Sequence, residues 1–190
     1  MWATLLGTAA MLAIAATGPG VARTEEMDGH PTLFTDDGAC PGEGCSYGIW
    51  HVEHDTALLA APEQDARVVA QLHAGEAVTA LTGFVTTRPA RFVVKRDRDG
   101  YRRGESFWVY TYLGEGYFKI WRAGRMQEAD LGFSPYGGTA GDRCQDSTRL
   151  SWGELDRPLQ MTWWFKIRDG QNVEGWSKDY ESLCEEKWCG

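Results

Sequence analysis

The sequence predicts an all-β protein, built as a small barrel of short strands followed by a second, shorter barrel-like unit. Short apolar runs alternate with polar residues at a period of two, which is typical of strands with one buried face. Gly and Pro residues separate these runs at short intervals, as expected for turns. Helical periodicity is minimal after the amino terminus. These three observations together favour a β protein over an α or α/β one.

Residues 1–22 are predicted to be a secretory signal peptide. An apolar run without charge spans residues 5–16, a helix-breaking Gly-Pro-Gly follows at 18–20, and small residues precede a cleavage point after Ala22. The segment lacks Lys and Arg, so an uncut membrane anchor is the alternative, although the apolar run is short for a span. We therefore expect a periplasmic or secreted protein, with no stable membrane insertion after signal cleavage.

Residues 23–46 are predicted to be an amino-terminal extension that holds a small cysteine loop. The five cysteines all lie after the signal, at Cys40, Cys45, Cys144, Cys184 and Cys189. Export to an oxidising compartment predicts disulfides. The first two cysteines and the last two are separated by the same four-residue gap, so pairing within each local pair would leave Cys144 without a partner. In the alternative scheme, a long-range disulfide joins Cys144 to one of the last two cysteines. The two-residue gap of redox enzymes and zinc knuckles is absent from these five positions.

Residues 47–128 are predicted to form the first barrel. Alternating runs indicate strands near 49–53, 56–60, 68–72, 78–84, 84–95 and 106–113. Pro62 and a polar turn separate the second and third of these strands, and Gly75 suits a tight turn before the fourth, because glycine adopts positive φ at little cost.

The stretch from 56 to 81, TALLAAPEQDARVVAQLHAGEAVTAL, resembles the opening of a bacterial Src-homology-three-like domain. The matching residues are Leu58, Pro62, Val68, Val69, Leu72, Gly75, Glu76 and Val78. Members of this family usually close with an aromatic-Lys-aliphatic strand and a Gly turn, which residues 117–121 and 164–168 both resemble. The resemblance implies a five- to six-stranded barrel that binds cell-wall material or a protein partner in the bacterial envelope, with no fixed catalytic residues.

Residues 129–143 are predicted to be a linker rich in Gly, Pro and Ser, and residues 144–190 a second barrel-like β unit. This unit is expected to contain an alternating strand at 163–168, a hairpin turn at Asp169-Gly170, a return strand at 175–177 and one or two helical turns within 179–188.

Large aromatic residues in period-two register predict a ligand-binding surface on the strand at 106–113. Alternation places Trp108, Tyr110 and Tyr112 on one face and Phe107 and Val109 on the other. Exposed rings at this spacing would stack on an extended peptide or glycan. The five predicted ligand-binding residues are Trp108, Tyr110, Tyr112, Tyr117 and Trp121. The alternative is that the segment after residue 142 packs over these rings, which would make them core residues.

No motif for catalysis or for a cofactor emerges from the sequence. His51, Glu53 and Asp55 would share a strand face beside His54, but a solvated polar face explains them better than a metal site. A Ser-centred elbow, a phosphate loop and a zinc-hydrolase helix motif are absent from the sequence. The Gly-rich residues 136–141 read as a loop. We therefore expect a protein that is not an enzyme and needs neither cofactor nor metal.

The net charge of the chain disfavours some classes of binding partner. The formal net charge is −8 and the sequence pI is about 5.0, so nucleic acid and anionic lipid are poor candidates. The locally basic run at 95–103 is either a solvated hairpin tip with alternating charges or a docking patch for an acidic partner.

The sequence favours an exported, non-enzymatic binding module for cell-wall peptide or glycan, or for an envelope protein. The alternatives are a secreted inhibitor or neutraliser of an enzyme or toxin and, with less support, a wall hydrolase.

Overall fold

The computed structural model describes residues 29–40, 44–135 and 150–185, and these residues form an all-β protein, as predicted. The signal peptide, the Gly-rich loop at 136–141, Cys144 and Cys189 lie outside the described residues. The elements are β1 Phe34–Asp37, β2 Gly48–Val52, β3 Thr56–Leu59, β4 Val68–Leu72, β5 Ala77–Arg88, β6 Ala90–Val94, β7 Ser106–Gly114, β8 Tyr117–Arg122, β9 Arg125–Asp130, β10 Gly153–Leu155, β11 Gln160–Arg168, β12 Glu174–Ser177, a 3₁₀ turn Tyr180–Ser182 and β13 Leu183–Glu185. Within the described ranges, no helix has the length and apolar character needed to span a membrane.

The strands form two antiparallel sheets. Sheet A has the order β13-β2-β5-β11-β12-β3-β4, and sheet B the order β10-β6-β7-β8-β9. The long strand β5 is central to sheet A, because β11 pairs along it from Gln160 opposite Arg88 to Arg168 opposite Thr79. The other edge of β5 is shared by β2 and by β1, whose Phe34 lies opposite Thr87.

The two-unit architecture is confirmed, but the units divide the chain differently from the predicted boundary between 129 and 143. The chain leaves sheet A after Arg88, where Pro89 has no N–H to continue a ladder, and β6 to β10 then form sheet B. Strands β11, β12 and β13 return to sheet A and pair with β5, β3 and β2. The carboxy-terminal strands therefore complete the first sheet, because strand partners are set by non-local pairing that local alternation does not encode.

Each sheet has its own hydrophobic core. In sheet A, Trp50 is buried and its ring lies 5.5 Å from that of Phe165. In sheet B, Phe92 is buried and its ring lies 4.6 Å from that of Trp152. Two cores are consistent with one chain folding as two packed β units.

The turn at Asp169-Gly170 forms as predicted. Asp169 Oδ1 accepts hydrogen bonds of 2.8 Å from the backbone N–H groups of Gln171 and Val173, and β11 pairs with β12 beyond the turn. Such side-chain bonds to the following backbone explain why Asp is common in turns. After the turn, β12 runs antiparallel to β11 and also pairs with β3.

Candidate functional site

A β-bulge in β7 changes which aromatic residues share a face. Val109 lies opposite Ile120, but Tyr112 lies opposite Phe118, so β7 carries one extra residue between these pairs. An extra residue reverses the alternation beyond it. Tyr112 consequently packs in the sheet B core with Phe118 and is 7% exposed. The prediction that Tyr112 shares the face of Trp108 and Tyr110 was wrong for this reason.

Trp108 and Tyr110 are covered by residues 30–37, which we call the covering segment. The ring of His30 stacks on Trp108 with a centroid distance of 4.0 Å. The Tyr110 hydroxyl donates a hydrogen bond of 2.7 Å to the carbonyl of Pro31, and Phe34 meets the same ring edge-on at 5.5 Å. Tyr110 is fully buried. The covered alternative is therefore the correct one, although the cover comes from the amino-terminal side instead of from residues after 142.

An ion pair fixes the covering segment to sheet B. Lys119 Nζ on β8 lies 2.7 Å from Asp36 Oδ1, and the two side chains are mostly buried, with 24% and 14% of their surface exposed. Because β1 also pairs with β5 of sheet A, the covering segment contacts both sheets. Burial raises the pKa of Tyr110 to about 12, since an ionised phenolate would lose its solvation there.

The tip of the β7–β8 hairpin remains open. Leu113 is 40% exposed and Tyr117 is 47% exposed, whereas Trp121 is half-buried in the same sheet. Of the five residues predicted to bind a ligand, Tyr117 is thus the most exposed. Residues 113–117 are where the aromatic surface of β7 and β8 reaches solvent.

Two cavities adjoin at this tip, and we call them together the hairpin groove. The outer cavity, of about 300 Å³, is lined by Gly44, Leu113, Gly114, Glu115, Tyr117 and Glu128. The inner cavity, of about 140 Å³, shares Leu113 and Gly114 with it and extends to Cys40, Thr111 and Trp163. Since Thr111 lies on β7 and Trp163 on β11, the inner cavity lies between the two sheets.

The predicted disulfide between Cys40 and Cys45 forms, and it closes a loop at the hairpin groove. Cys40 lines the inner cavity and Gly44, inside the loop, lines the outer one. The hydroxyl of Tyr47 donates to the carbonyl of Ala39 and anchors the loop. Burial raises the pKa of Tyr47 to about 12. Cross-linking and anchoring therefore hold one wall of the groove in place.

Cys184 is disulfide-bonded as well. With Cys40 and Cys45 joined to each other, its partner is outside the described residues, where Cys144 and Cys189 both lie. The choice between the two pairing schemes for the carboxy-terminal cysteines therefore falls outside the described structure.

Two polar atoms beside the inner cavity have no hydrogen-bond partner among the described residues. They are Thr111 Oγ1 and Trp163 Nε1, and a water-sized sphere reaches neither atom, from bulk solvent or from the cavity. Leaving a buried donor or acceptor unpaired costs about 1–3 kcal/mol, so such groups are uncommon in folded proteins. Neither residue was singled out as a site residue from the sequence, because only the three-dimensional arrangement brings β7 and β11 together.

The outer cavity has carboxylate side chains in its described lining. Its described lining includes the carboxylates of Glu115 and Glu128 and no Lys or Arg. Glu128 is exposed on β9, at the edge of sheet B. The exposed carboxylate of Glu128 favours a neutral or positively charged ligand over an anionic one.

Two basic residues of the run at 95–103 contact other parts of the chain. The Arg98 guanidinium lies 4.8 Å from the centre of the Trp152 ring, and Lys95 Nζ lies 2.6 Å from a carboxylate oxygen of Glu154. These contacts support the solvated hairpin tip over the docking patch for an acidic partner.

The histidine-rich face near 51–55 does not assemble into a metal site. His73 Nδ1 lies 3.4 Å from Asp55 Oδ2, and both side chains are well exposed. A hydrogen bond from the backbone N–H of Ala74, and then the one with His73, lower the pKa of Asp55. In the described part of the chain, no group of three or more His, Cys, Asp or Glu side chains is placed to hold a metal ion.

No family model, no curated protein and no solved structure matches this chain. The resemblance to Src-homology-three-like domains therefore rests on the residues at 56–81 and on the hairpin patterns at 117–121 and 164–168, and it stays a prediction.

Proposed function

We propose that this protein is an exported, non-enzymatic binding module that holds cell-wall peptide or glycan in the hairpin groove. The observation that carries the proposal is the pair of exposed apolar side chains, Leu113 and Tyr117, at the mouth of two adjoining cavities. Exposed apolar groups beside a concavity are typical of ligand sites. An aromatic ring such as that of Tyr117 can stack on the face of a sugar or on a peptide group.

The shape of the groove favours a narrow ligand over a second folded protein. The outer cavity has a volume of about 300 Å³, which is within the range of small-ligand sites. A stable protein–protein interface instead needs roughly 800 Å² of surface on each partner. We therefore prefer a short peptide or glycan segment over an envelope protein as the ligand.

The charge near the groove supports the proposed class of ligand, and the disulfides support the proposed export. The exposed carboxylate of Glu128 favours a neutral or cationic ligand, such as a peptide that carries a free amine. The disulfide between Cys40 and Cys45, together with bonded Cys184, is typical of an oxidising compartment such as the periplasm or the exterior.

A wall-pelleting assay tests the proposal. The chain without residues 1–22 should sediment with purified cell wall, and Tyr117→Ala should raise the dissociation constant about tenfold or more, because a ring at the centre of a site often contributes over 1 kcal/mol. Val68→Ala is the matched control, since Val68 is 45% exposed on β4, outside the lining of the groove.

Equal binding of Tyr117→Ala and Val68→Ala would remove the groove from the proposal, and failure of the unmutated chain to sediment would remove wall binding itself. A soluble one-to-one complex recovered from envelope extract, without sedimentation, would instead favour the inhibitor alternative.

A further inference from the structure

We infer that the outer edge of β9 binds an extended peptide, with a lysine or arginine side chain of that peptide opposite Glu128. The inference deepens the proposed function and rests on it, because Glu128 belongs both to this edge and to the lining of the outer cavity. It selects a peptide over a glycan as the ligand and adds backbone pairing to the contacts made in the hairpin groove.

Strand β9 is the longest of the four strands that end the two sheets. Its six residues pair with β8 in one continuous register. The end strands β10 and β13 have three residues each, and β4 has a register shift in its pairing with β3. Short edges and bulges are common devices against unwanted strand pairing, and β9 has neither.

The turn between β8 and β9 determines which backbone groups of β9 face outward. Ala123 and Gly124 have φ values of 52° and 75°, as a two-residue type I′ turn requires, and Arg122 lies opposite Arg125. Residues that flank such a turn exchange two backbone hydrogen bonds, and the bonded pairs then recur at every second residue. The odd-numbered residues of β9 therefore bond to β8.

The even-numbered residues of β9 direct their backbone N–H and C=O groups away from β8, and these residues are Met126, Glu128 and Asp130. No described residue pairs with these groups. Each of the three residues offers one donor and one acceptor at the spacing of a strand, which an extended peptide matches and a glycan does not. Backbone pairing of this kind accounts for the affinity of many peptide-binding domains.

Charge determines which peptide suits this edge. Lys119 lies opposite Glu128 on β8, but its ammonium group pairs with Asp36 at 2.7 Å. The carboxylate of Glu128 is exposed and has no charged partner among the described residues. Opposite charges that face each other stabilise paired strands, so a lysine or arginine of the peptide fits opposite Glu128. A long basic side chain there also extends across β9 towards the exposed ring of Tyr117, whose face attracts a cation.

A second copy of the chain suits this edge less well. Antiparallel pairing of two β9 strands centred on Glu128 would set the two Glu128 carboxylates opposite each other, and like charges in that position are destabilising. The edge therefore favours a separate basic peptide over self-association.

Amide hydrogen exchange followed by NMR tests the inference, with Ac-Val-Lys-Val-Lys-Val-NH2 as the probe peptide. Without peptide, the amides of Met126 and Glu128 should exchange much faster than those of the odd-numbered residues of β9. Saturating peptide should slow exchange at Met126 and Glu128 about tenfold or more, because their N–H groups gain partners. Exchange at Gln127 and Ala129, which already bond to β8, should stay unchanged.

Charge variants separate strand pairing from a general attraction of the acidic chain for basic peptides. Glu128→Lys should weaken binding of the probe about tenfold, and it should bind Ac-Val-Glu-Val-Glu-Val-NH2 more tightly than the unmutated chain does. Glu63→Lys is the matched control, because Glu63 is also exposed but lies in the loop between β3 and β4 of sheet A. It should leave both affinities unchanged.

The absence of saturable slowing at Met126 and Glu128 would overturn the inference, whether or not the peptide binds elsewhere. So would equal probe affinity in Glu128→Lys and Glu63→Lys, with thermal unfolding showing both to be folded. Slow exchange at the same amides without peptide, together with a dimer in analytical ultracentrifugation, would assign the edge to a second copy and contradict the peptide.

The proposed function can fail separately. Slowed exchange with the probe, without sedimentation of the chain on cell wall, would leave the edge site standing and refute wall binding. Sedimentation without slowed exchange would do the reverse.

Discussion

The two ends of the aromatic surface on β7 and β8 differ in what lies over them. Trp108 and Tyr110 are covered by the segment at 30–37, whereas Leu113 and Tyr117 face solvent at the hairpin tip. Strands β7 and β8 therefore contribute to the protein interior at one end and form the rim of the hairpin groove at the other. A stripe of aromatic residues in a sequence thus indicates an apolar surface. Whether that surface becomes core or a binding site depends on whether a segment from elsewhere in the chain covers it.

At the covered end, the polar groups of Tyr110 and Lys119 have partners within the chain. The Tyr110 hydroxyl meets the carbonyl of Pro31, and Lys119 meets Asp36. A buried Tyr needs such a partner, because an unpaired hydroxyl away from water is costly. Not every buried polar atom is paired in this way, because Trp108 Nε1 at the covered end, like Thr111 Oγ1 and Trp163 Nε1 near the open tip, has no hydrogen-bond partner among the described residues. The two ends therefore differ in the exposure of their side chains, and not in whether every buried polar atom has a partner.

The largest expected difference between the two ends is in stability. Tyr110→Ala should lower the free energy of unfolding by about 3–5 kcal/mol, because it removes a fully buried ring. Tyr117→Ala should change it by no more than about 0.5 kcal/mol, because its ring is 47% exposed. Urea unfolding of the two variants measures both values. Similar costs at the two positions would erase the distinction between a covered and an open end.

A smaller effect is expected from the ion pair that holds the covering segment. Asp36→Asn should lower the free energy of unfolding by about 1–3 kcal/mol, because it leaves the mostly buried Lys119 ammonium without its carboxylate. Glu154→Gln is the control, since the pair of Glu154 with Lys95 is about half exposed and should contribute less than about 1 kcal/mol.

A double-mutant cycle that adds Lys119→Met to Asp36→Asn should recover part of the loss, because no unpaired charge remains. An Asp36→Asn variant as stable as the unmutated chain would mean that the covering segment is held by its apolar contacts alone.

The alternation in the sequence was sufficient for the strand at 106–113 and for the shared face of Trp108 and Tyr110. It was not sufficient for Tyr112, because the register at a bulge depends on pairing with β8. The Cys40–Cys45 link followed from short spacing and export, both of which are local features. The cover was missed because its signal is slight: Met27, Leu33 and Phe34 are the three large apolar residues of a mostly polar extension at 23–46.

The inner cavity could not be derived from the sequence either. It needs Thr111 of β7 and Trp163 of β11 to meet across two sheets, whereas the sequence suggested two consecutive units that divide the chain near residue 129. Pairing between strands far apart in the chain is set by the whole fold, and a pattern with a period of two contains no information about it.

Because burial raises the pKa of Tyr110, the free energy of unfolding should fall at alkaline pH. The pKa of Tyr110 is about 12 in the folded protein and near 10.0 when unperturbed, because burial disfavours the phenolate. The stabilising contribution is thus complete below pH 10.0 and is lost as the pH rises towards about 12, since the unfolded chain ionises first.

Spectrophotometric titration of tyrosinate tests the covered end most directly. Two tyrosines, Tyr110 and Tyr47, should ionise near pH 12, and each of Tyr110→Phe and Tyr47→Phe should remove one of these late titrations. If Tyr110→Phe instead removes a tyrosine that ionises near pH 10 in the folded protein, residues 30–37 do not cover the aromatic face, and the contrast between the two ends of β7 and β8 is refuted.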